Sequence, residues 1–468
     1  MTSSYDAIVI GSGQAGPFLA VRLAEAGMKT VLIEREHLGG TCVNDGCIPT
    51  KTLVASARAA HVARRAADYG VTIGGPVGVD MKAVKARKDR IVAQSIEGLE
   101  KWIARTAGLT LIRGHARFTG PRTVAVNGET LEAAKVFINV GGRAVLPGWH
   151  GIADVPVLTN TSMMALDTLP EHLIVAGGSY IGLEFAQMYR RFGSRVTVVE
   201  YGDRLIARED REVSRTVQEI LAQEGVDFYF SVESATVLRG PDGQGVRLAL
   251  NVGGSGHELA GSHLLAAVGR RPSTDDLGLE QAGIATDARG FVTVDDELRT
   301  SVPGVWAMGD VNGRGAFTHT SYNDFQIVAA NLLDGGQRRV SDRIAAYALF
   351  IDPPLGRVGM SEAEVRARGK PALVGVMPMT RVGRARERGE TQGFMKVLVD
   401  AASERILGAS LLCIEGDEVV HSLLDVMAAD ASYKVIERAV HIHPTVSELI
   451  PTLLGSLVPL GPVVPTPA

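Results

Sequence analysis

Only three of the 468 residues are cysteine, at positions 42, 47 and 413, and no second cluster of closely spaced cysteines or histidines accompanies the first two. Structural zinc sites draw their ligands from two such clusters, so no metal site is expected. No apolar stretch reaches the length of a membrane span, and the N-terminus lacks a charged region followed by a long apolar one. Neither a membrane anchor nor an export leader is therefore expected. Blocks of like charge are also missing. The formal charge of -4 gives no reason to expect nucleic acid or a membrane surface as a partner. The one short basic run, Arg381 to Arg388, reads as a solvated loop. Without an export signal, a reactive cysteine pair fits a reducing cytoplasm, where a disulfide is catalytic rather than structural.

What is present begins with Gly39 to Lys51, GGTCVNDGCIPTK, which holds two of the three cysteines. Cys42 and Cys47 are five residues apart, and in a regular helix that separation would rise roughly 7.5 Å and turn about 140°, beyond disulfide reach. If the two sulfurs bond, the backbone between them is irregular, and Asn44, Asp45 and Gly46 tolerate the turn. The glycine-free run from Cys47 to Ala67 then reads as a helix. This puts the cysteines at a helix N-terminus, whose dipole lowers a thiol's pKa and favours the attacking thiolate. Lys51, four residues after Cys47, lies on the same helical face.

Tyr5 to Gly16 is a short apolar strand running into G-x-G-x-x-G, followed by a helix to Gly27 and a strand ending at Glu34. Gly11 makes the tight turn, Gly13 lets backbone approach a pyrophosphate, and Gly16 lets helix and strand pack closely. Phosphates meet the helix N-terminus, and Glu34, 23 residues after Gly11, can accept ribose hydroxyls. The pattern returns at Gly177, Ser179 and Gly182, with a helix to Phe192 and a strand ending at Glu200, again 23 residues after its first glycine. Two copies of one unit predict two nucleotide sites. Ser179 replaces the middle glycine. Glu200 favours a free ribose and so NAD(H) over NADP(H), with Arg204 and Arg208 near enough in sequence to offset it.

At 46% hydrophobic and 21% charged, the chain has the balance of a globular enzyme, and its length calls for two to four domains. Met81 to Arg105 reads as a long amphipathic helix. Short strands follow, and one ends at Gly141, Gly142 and Arg143. Asp310 closes an apolar strand beside Gly309; by local pattern it is equally a turn or capping aspartate. Thr318 to Leu333 reads as a helix. No nucleotide fingerprint occurs after Ser341. Cys413 reads as a buried small hydrophobe, and the tail after Leu457 as frayed.

The glycine pair, CxxxxC and Ile-Pro-Thr-Lys of residues 39–51 resemble the signature of the FAD-dependent pyridine nucleotide-disulfide oxidoreductases, which include dihydrolipoamide dehydrogenase, glutathione reductase and mercuric reductase. The resemblance covers nearly the whole chain. It implies an α/β fold with two Rossmann-like dinucleotide-binding domains and a C-terminal α+β dimerisation domain. The expected division is 1–148 for the FAD domain, 149–272 for the NAD(P) domain, 273–340 for a return to the FAD domain, and 341–468 for the interface. It also implies a redox-active Cys42–Cys47 disulfide. FAD is expected at Gly11, Gly13, Gly16, Glu34, Gly40, Thr41, Lys51, Gly141 and Asp310, the last holding the ribityl chain. NAD(P) is expected at Gly177, Ser179, Tyr180, Gly182, Glu200 and Gly269, with Tyr180 covering the nicotinamide pocket. Lys51 pairs with Glu184 beside the flavin. His443 and Glu448 match His-Pro-x-x-x-Glu, the acid–base pair that reaches the partner subunit's disulfide in an obligatory homodimer; His441 has the weaker claim.

The wording around Cys47, the Gly177-Gly178-Ser179 turn and His319 to Asp324 is most similar to mercuric-reductase-like flavoproteins, including those linked to resistance to reactive chlorine. No cysteine follows Cys413, however, whereas true mercuric reductases end in a vicinal pair. The expected activity is electron transfer from NAD(P)H through FAD and the cysteines to a disulfide, thiol-reactive or metal acceptor. Dihydrolipoamide dehydrogenase is the main rival, and a redox-sensing flavoprotein without turnover is the reading from another class.

Overall fold

Near-continuous runs of Val, Ile and Leu make buried strands here because both sheet faces are covered. The computed structural model describes residues 2–240 and 243–461, and these fold as two units. The first takes the chain up to Gly148, Pro156–Leu169 and Leu264–Arg343; the second takes Trp149–Val155, Pro170–His263 and Ile344 onward.

In the first unit β1 (Thr2–Ile10) pairs in parallel with β2 (Thr30–Glu34) and with β6 (Glu129–Ile138). β3 (Leu109–Arg113) extends the sheet beside β2, while β4 (Arg117–Gly120) and β5 (Thr123–Val126) form an antiparallel meander next to β6. The late strand Val305–Ala307 returns to pair with β6 in parallel. Ile8, Ile33 and Val136 face one core and Val9, Leu32 and Phe137 the other, all nearly fully buried. Each such side chain contributes roughly 1.5–3 kcal/mol of burial. Helix α1 (Gly16–Glu25) packs on this sheet and begins Gly16-Pro17, proline being tolerated in a first turn where the amide lacks a partner anyway. Two helices carry the cysteines, α2 (Gly40–Asn44) and α3 (Cys47–Arg64). The α4 helix (Met81–Arg105) has the bounds its amphipathic pattern predicts, and Asp80 caps it by accepting from the Lys82 and Ala83 amides at 2.9 and 3.1 Å.

The second unit repeats the opening theme with parallel strands His172–Ala176, Arg195–Val199 and Val226–Tyr229, followed by an antiparallel meander of Val232–Arg239, Val246–Val252 and Ser255–Gly261. Its C-terminal part is an antiparallel sheet built on Leu355–Gly359, Ile406–Leu412, Phe394–Asp400 and Ala372–Pro378.

Two sequence expectations are corrected. The basic run at 381–388 is not a loop. Gly383–Glu387 is helical, with Val382 and Ala385 in the core, because small and apolar residues alternate with the arginines. The tail is not frayed directly after Leu457 either: Val458 and Pro459 pair with Val374 and Leu373, where an unfilled sheet edge offers backbone partners. Residues 462–468, the rest of that tail, lie outside the described residues. No helix among the described residues is long and apolar enough to cross a membrane.

Candidate functional site

The first glycine turn joins β1 to α1. The Gly11 amide donates to the Ile33 carbonyl at 2.8 Å, and a methyl group on Gly16 would lie 2.1 Å from the Gly11 carbonyl oxygen. Only glycine fits there. Both Glu34 oxygens are engaged: one accepts from the Ser12 amide at 2.9 Å and the Ser12 hydroxyl at 2.6 Å, the other from the Glu36 amide at 2.8 Å. Gly40, at φ +57°, approaches so closely that a side chain would come within 2.9 Å of Gly13 Cα. Glycines on both walls thus keep side chains out of the cradle where α1 begins, which fits the pyrophosphate of a dinucleotide such as FAD.

Beside this cradle, Cys42 lies inside α2 and Cys47 is the first residue of α3. The turn between them depends on Gly46, where a side chain would strike the Thr41 carbonyl at 2.7 Å. The Asn44 amide group ties it down through bonds of 2.9 Å to the Leu38 and Gly40 carbonyls. Both cysteines are thiols in this structure. Their expected common position at one helix N-terminus holds for Cys47 alone. The expected depression of the thiol pKa also fails at Cys42: its hydrogen bond with Cys47 and its burial push it up, while Thr318 and the charge of Lys51 pull it down. A neighbouring sulfur and burial both disfavour the thiolate there. The Thr318 hydroxyl is 3.0 Å from Cys47 Sγ.

Asp310 follows the strand Val305–Ala307 in a short 3-10 turn, Gly309–Asn312. Burial raises its carboxyl pKa against the pull of Arg270, whose Nε is 3.9 Å away. Arg270 also donates to the Thr41 hydroxyl at 3.3 Å. Gly141 accepts from the Ser273 amide and Gly269 from the Val145 amide, both at 3.0 Å, so Gly269 sits in the first unit with the FAD candidates.

The second glycine turn repeats the first almost atom for atom. The Gly177 amide donates to the Val199 carbonyl at 2.8 Å, and a methyl on Gly182 would lie 2.1 Å from the Gly177 carbonyl oxygen. Glu200 accepts from the Gly178 and Gly202 amides at 2.6 and 2.7 Å. Ser179 has extended backbone and an exposed side chain, so the middle position admits serine without strain. Arg204 donates to the Ala207 carbonyl at 2.8 Å, and Arg208 is exposed. Tyr180, the first residue of the helix Tyr180–Phe192, donates its hydroxyl to Glu209 at 2.8 Å. Glu184 is buried and accepts from the Phe350 amide at 3.1 Å.

Elsewhere in the second unit, His443 Nδ1 is 2.7 Å from Glu448 Oε2. The ring is 81% exposed and the carboxylate 11%. Around it Val440 and Ile442 are 100% and 78% exposed. His441 makes only a 3.4 Å contact with the Ala439 carbonyl.

Three positioning residues escape the sequence reading. Asn139, buried at the end of β6, accepts from the Gly16 amide at 3.0 Å and donates to the Met308 carbonyl at 2.9 Å. It locks the glycine turn to the Asp310 strand. Asp324 accepts from the Gly309 amide at 2.8 Å and Asn312 at 3.0 Å, with Arg343 as its counter-ion. Thr318 is the third. Their partners lie in other elements of the chain, so no local spacing marks them.

The family model described as pyridine nucleotide-disulphide oxidoreductase matches residues 5–324, and the dimerisation domain of the same description matches 345–454. Among curated proteins, the chain is 36% identical to the probable pyridine nucleotide-disulfide oxidoreductase RclA of Escherichia coli, covering 97% of this chain and 99% of that one. It is 34% identical to a dihydrolipoyl dehydrogenase of Haloferax volcanii, covering 95% and 94%. It is also 34% identical to a mercuric reductase of Streptomyces lividans, covering 96% and 95%. Among solved structures, the HOCl-induced flavoprotein disulfide reductase RclA from E. coli matches with a TM-score of 0.87 at 36% identity, over 97% of this chain and all of that one. Its Cu(II) complex matches equally well.

Proposed function

Because the chain belongs to the pyridine nucleotide-disulphide oxidoreductases, FAD-dependent enzymes that use a pyridine nucleotide, we propose that it passes electrons from NADH to a disulfide or thiol-reactive metal acceptor through Cys42 and Cys47. The observation that carries this reading is the cysteine pair itself: two hydrogen-bonded thiols beside a glycine cradle, with the Thr318 hydroxyl 3.0 Å from Cys47 Sγ. FAD, when bound, supplies the two-electron link between nicotinamide and sulfur.

The first glycine turn holds the FAD pyrophosphate through Gly11, Gly13, Gly16, Gly40 and Thr41, with Glu34 on the ribose and Asp310 and Gly141 farther along. Lys51 supplies positive charge beside the ring. The second turn, with Gly177, Ser179, Gly182 and Glu200, holds the nicotinamide nucleotide, and Tyr180 lines its approach. Glu200 disfavours a 2'-phosphate, which supports NADH. The domains divide at 148, 272 and 340, and the work is cytoplasmic.

Cys42 is the sulfur that meets the acceptor and Cys47 the one that closes the disulfide behind it. As a disulfide acceptor is cleaved, His443 gives a proton to the leaving thiolate, and Glu448 holds the imidazole by its Nδ1 so that Nε2 faces the reaction. The exposed ring and the bare Val440 and Ile442, in the region matched by the dimerisation domain, support a homodimer in which His443 of the partner subunit serves each cysteine pair.

The solved relative in complex with Cu(II) supports testing a metal acceptor. The His443–Glu448 pair and the curated relatives equally support a second reading, NAD-dependent oxidation of dihydrolipoamide. Steady-state assays with NADH or NADPH and small disulfides, Cu(II) and Hg(II), and with NAD and dihydrolipoamide, separate these. C42S and C47S are expected to lose acceptor reduction while retaining FAD. Full activity in either variant overturns the assignment, and a flavin unreactive to both nicotinamides favours a sensor.

A further inference from the structure

Behind the second glycine turn lies a polar cluster of which the reading above uses only Tyr180. Tyr180 and Tyr347 both donate to Glu209 Oε1, at 2.8 and 2.7 Å, with their rings edge to face at 5.7 Å. Arg357 Nε is 3.4 Å from the other oxygen, Oε2, which is buried and accepts no hydrogen bond from the described residues. The ion pair is almost entirely out of water, with the Glu209 and Arg357 side chains 0% and 2% exposed. Burial beside the carboxylate holds the Tyr180 hydroxyl protonated and pushes Tyr347 up to about 12, so both stay donors at any working pH.

Such an ion pair is a poor anchor, since apolar residues of equal volume hold a core at least as well. What it supplies is direction. The stretch that carries Glu209 is also the stretch that carries Glu200, and it is docked on the glycine turn: the Ile206 amide donates to the Gly178 carbonyl at 2.9 Å, and Leu205 fills the space a Gly178 side chain would need. One rigid segment thus presents a carboxylate to the adenosine side and a second carboxylate to Tyr180.

We propose that Glu209, backed by Arg357 and Tyr347, is a positioning residue that fixes the Tyr180 ring beside the second glycine turn and thereby selects for the nicotinamide half of the dinucleotide. This rests on the reading of that turn as the NAD(P)H site. A ring tethered at its hydroxyl is already oriented when the nucleotide arrives, so binding does not have to order it.

The test compares KM for NADH with the inhibition constant of ADP-ribose, which carries the adenosine and pyrophosphate but no nicotinamide, in wild type, Y180F, Y347F and E209Q holoenzymes. Loss of one such hydrogen bond is expected to raise KM for NADH about three- to tenfold in Y180F and E209Q while ADP-ribose binds as in wild type. Equal weakening of both ligands would reduce the cluster to a structural prop and overturn the proposal, as would an unchanged KM in Y180F. Y180F and Y347F keep their rings, so they decide the matter should E209Q fail to fold. A wild-type protein that neither oxidises NADH nor binds ADP-ribose would instead defeat the underlying site assignment.

Discussion

The hydroxyl of Thr318 lies 3.0 Å from the sulfur of Cys47, a residue 271 positions earlier in the chain. Thr318 opens the helix Thr318–Leu333, so its hydroxyl is held on the cysteines by backbone and not by a flexible arm. It also lowers the Cys42 thiol pKa, against the raising effects of Cys47 and burial. Replacing it with valine keeps shape and removes the polar contact. In T318V the reduced pair is expected to ionise at higher pH, and alkylation by iodoacetamide near pH 7 to slow about three- to tenfold. An unchanged rate–pH profile would remove Thr318 from the account.

His443 and Glu448 divide one task. In H443Q, the acceptor half-reaction is expected to fall by about 10²–10⁴, the usual worth of a positioned general acid, while rapid reduction of the enzyme by NADH stays at its wild-type rate. E448Q keeps a hydrogen-bonding group at the imidazole Nδ1 but loses the carboxylate that orients the ring, so its loss in the acceptor half-reaction should be smaller. Stopped-flow measurement of the two half-reactions separates these effects. Equal slowing of both halves would speak against an acid–base role.

The paired glycines give a matched experiment, because a methyl on Gly16 or on Gly182 would meet a carbonyl oxygen at the same 2.1 Å. Overpacking of this kind costs about 1–3 kcal/mol, or roughly five- to 150-fold in binding. G16A is expected to purify short of FAD. G182A should retain FAD and lose affinity for NADH, as read by flavin absorbance and steady-state KM. The opposite pattern would exchange the two nucleotide sites.

Asp310 carries a pH signature. Its folded pKa is raised, first by burial, with Arg270 opposing. A carboxyl whose pKa is higher in the folded than in the unfolded chain is stabilised in its protonated form, so its charge costs stability above the folded pKa, and the cost disappears as pH falls below the unfolded value. The apoprotein of D310N should therefore unfold at higher denaturant than wild type at pH 7, with the difference shrinking on acidification, while its FAD affinity drops. Chemical denaturation at pH 7 and at acidic pH, with flavin titration, checks both halves.

Much of this site is written locally. The glycine turns, the acids 23 residues beyond them, the long helix from Met81 to Arg105 and the His-Pro-x-x-x-Glu motif are each set by residues within one or two elements, where backbone freedom and hydrophobic period decide the outcome. Sequence sufficed for the family resemblance for the same reason. It did not suffice at Arg381–Arg388, where burial of Val382 and Ala385 made a helix of an apparent loop. Nor did it reveal that the tail strand finds a sheet edge.

What only the folded chain decided is which distant groups face each other. Asn139 clamping Gly16 to Met308, Thr318 on Cys47, and Tyr347 and Arg357 on Glu209 join positions 123 to 271 residues apart. The Cys42 pKa belongs to this class too, since the helix dipole is readable from sequence but the neighbouring sulfur's hydrogen bond and the depth of burial are not. Hydrogen bonds and desolvation act over a few ångströms of space, and distance along the chain carries almost no information about them.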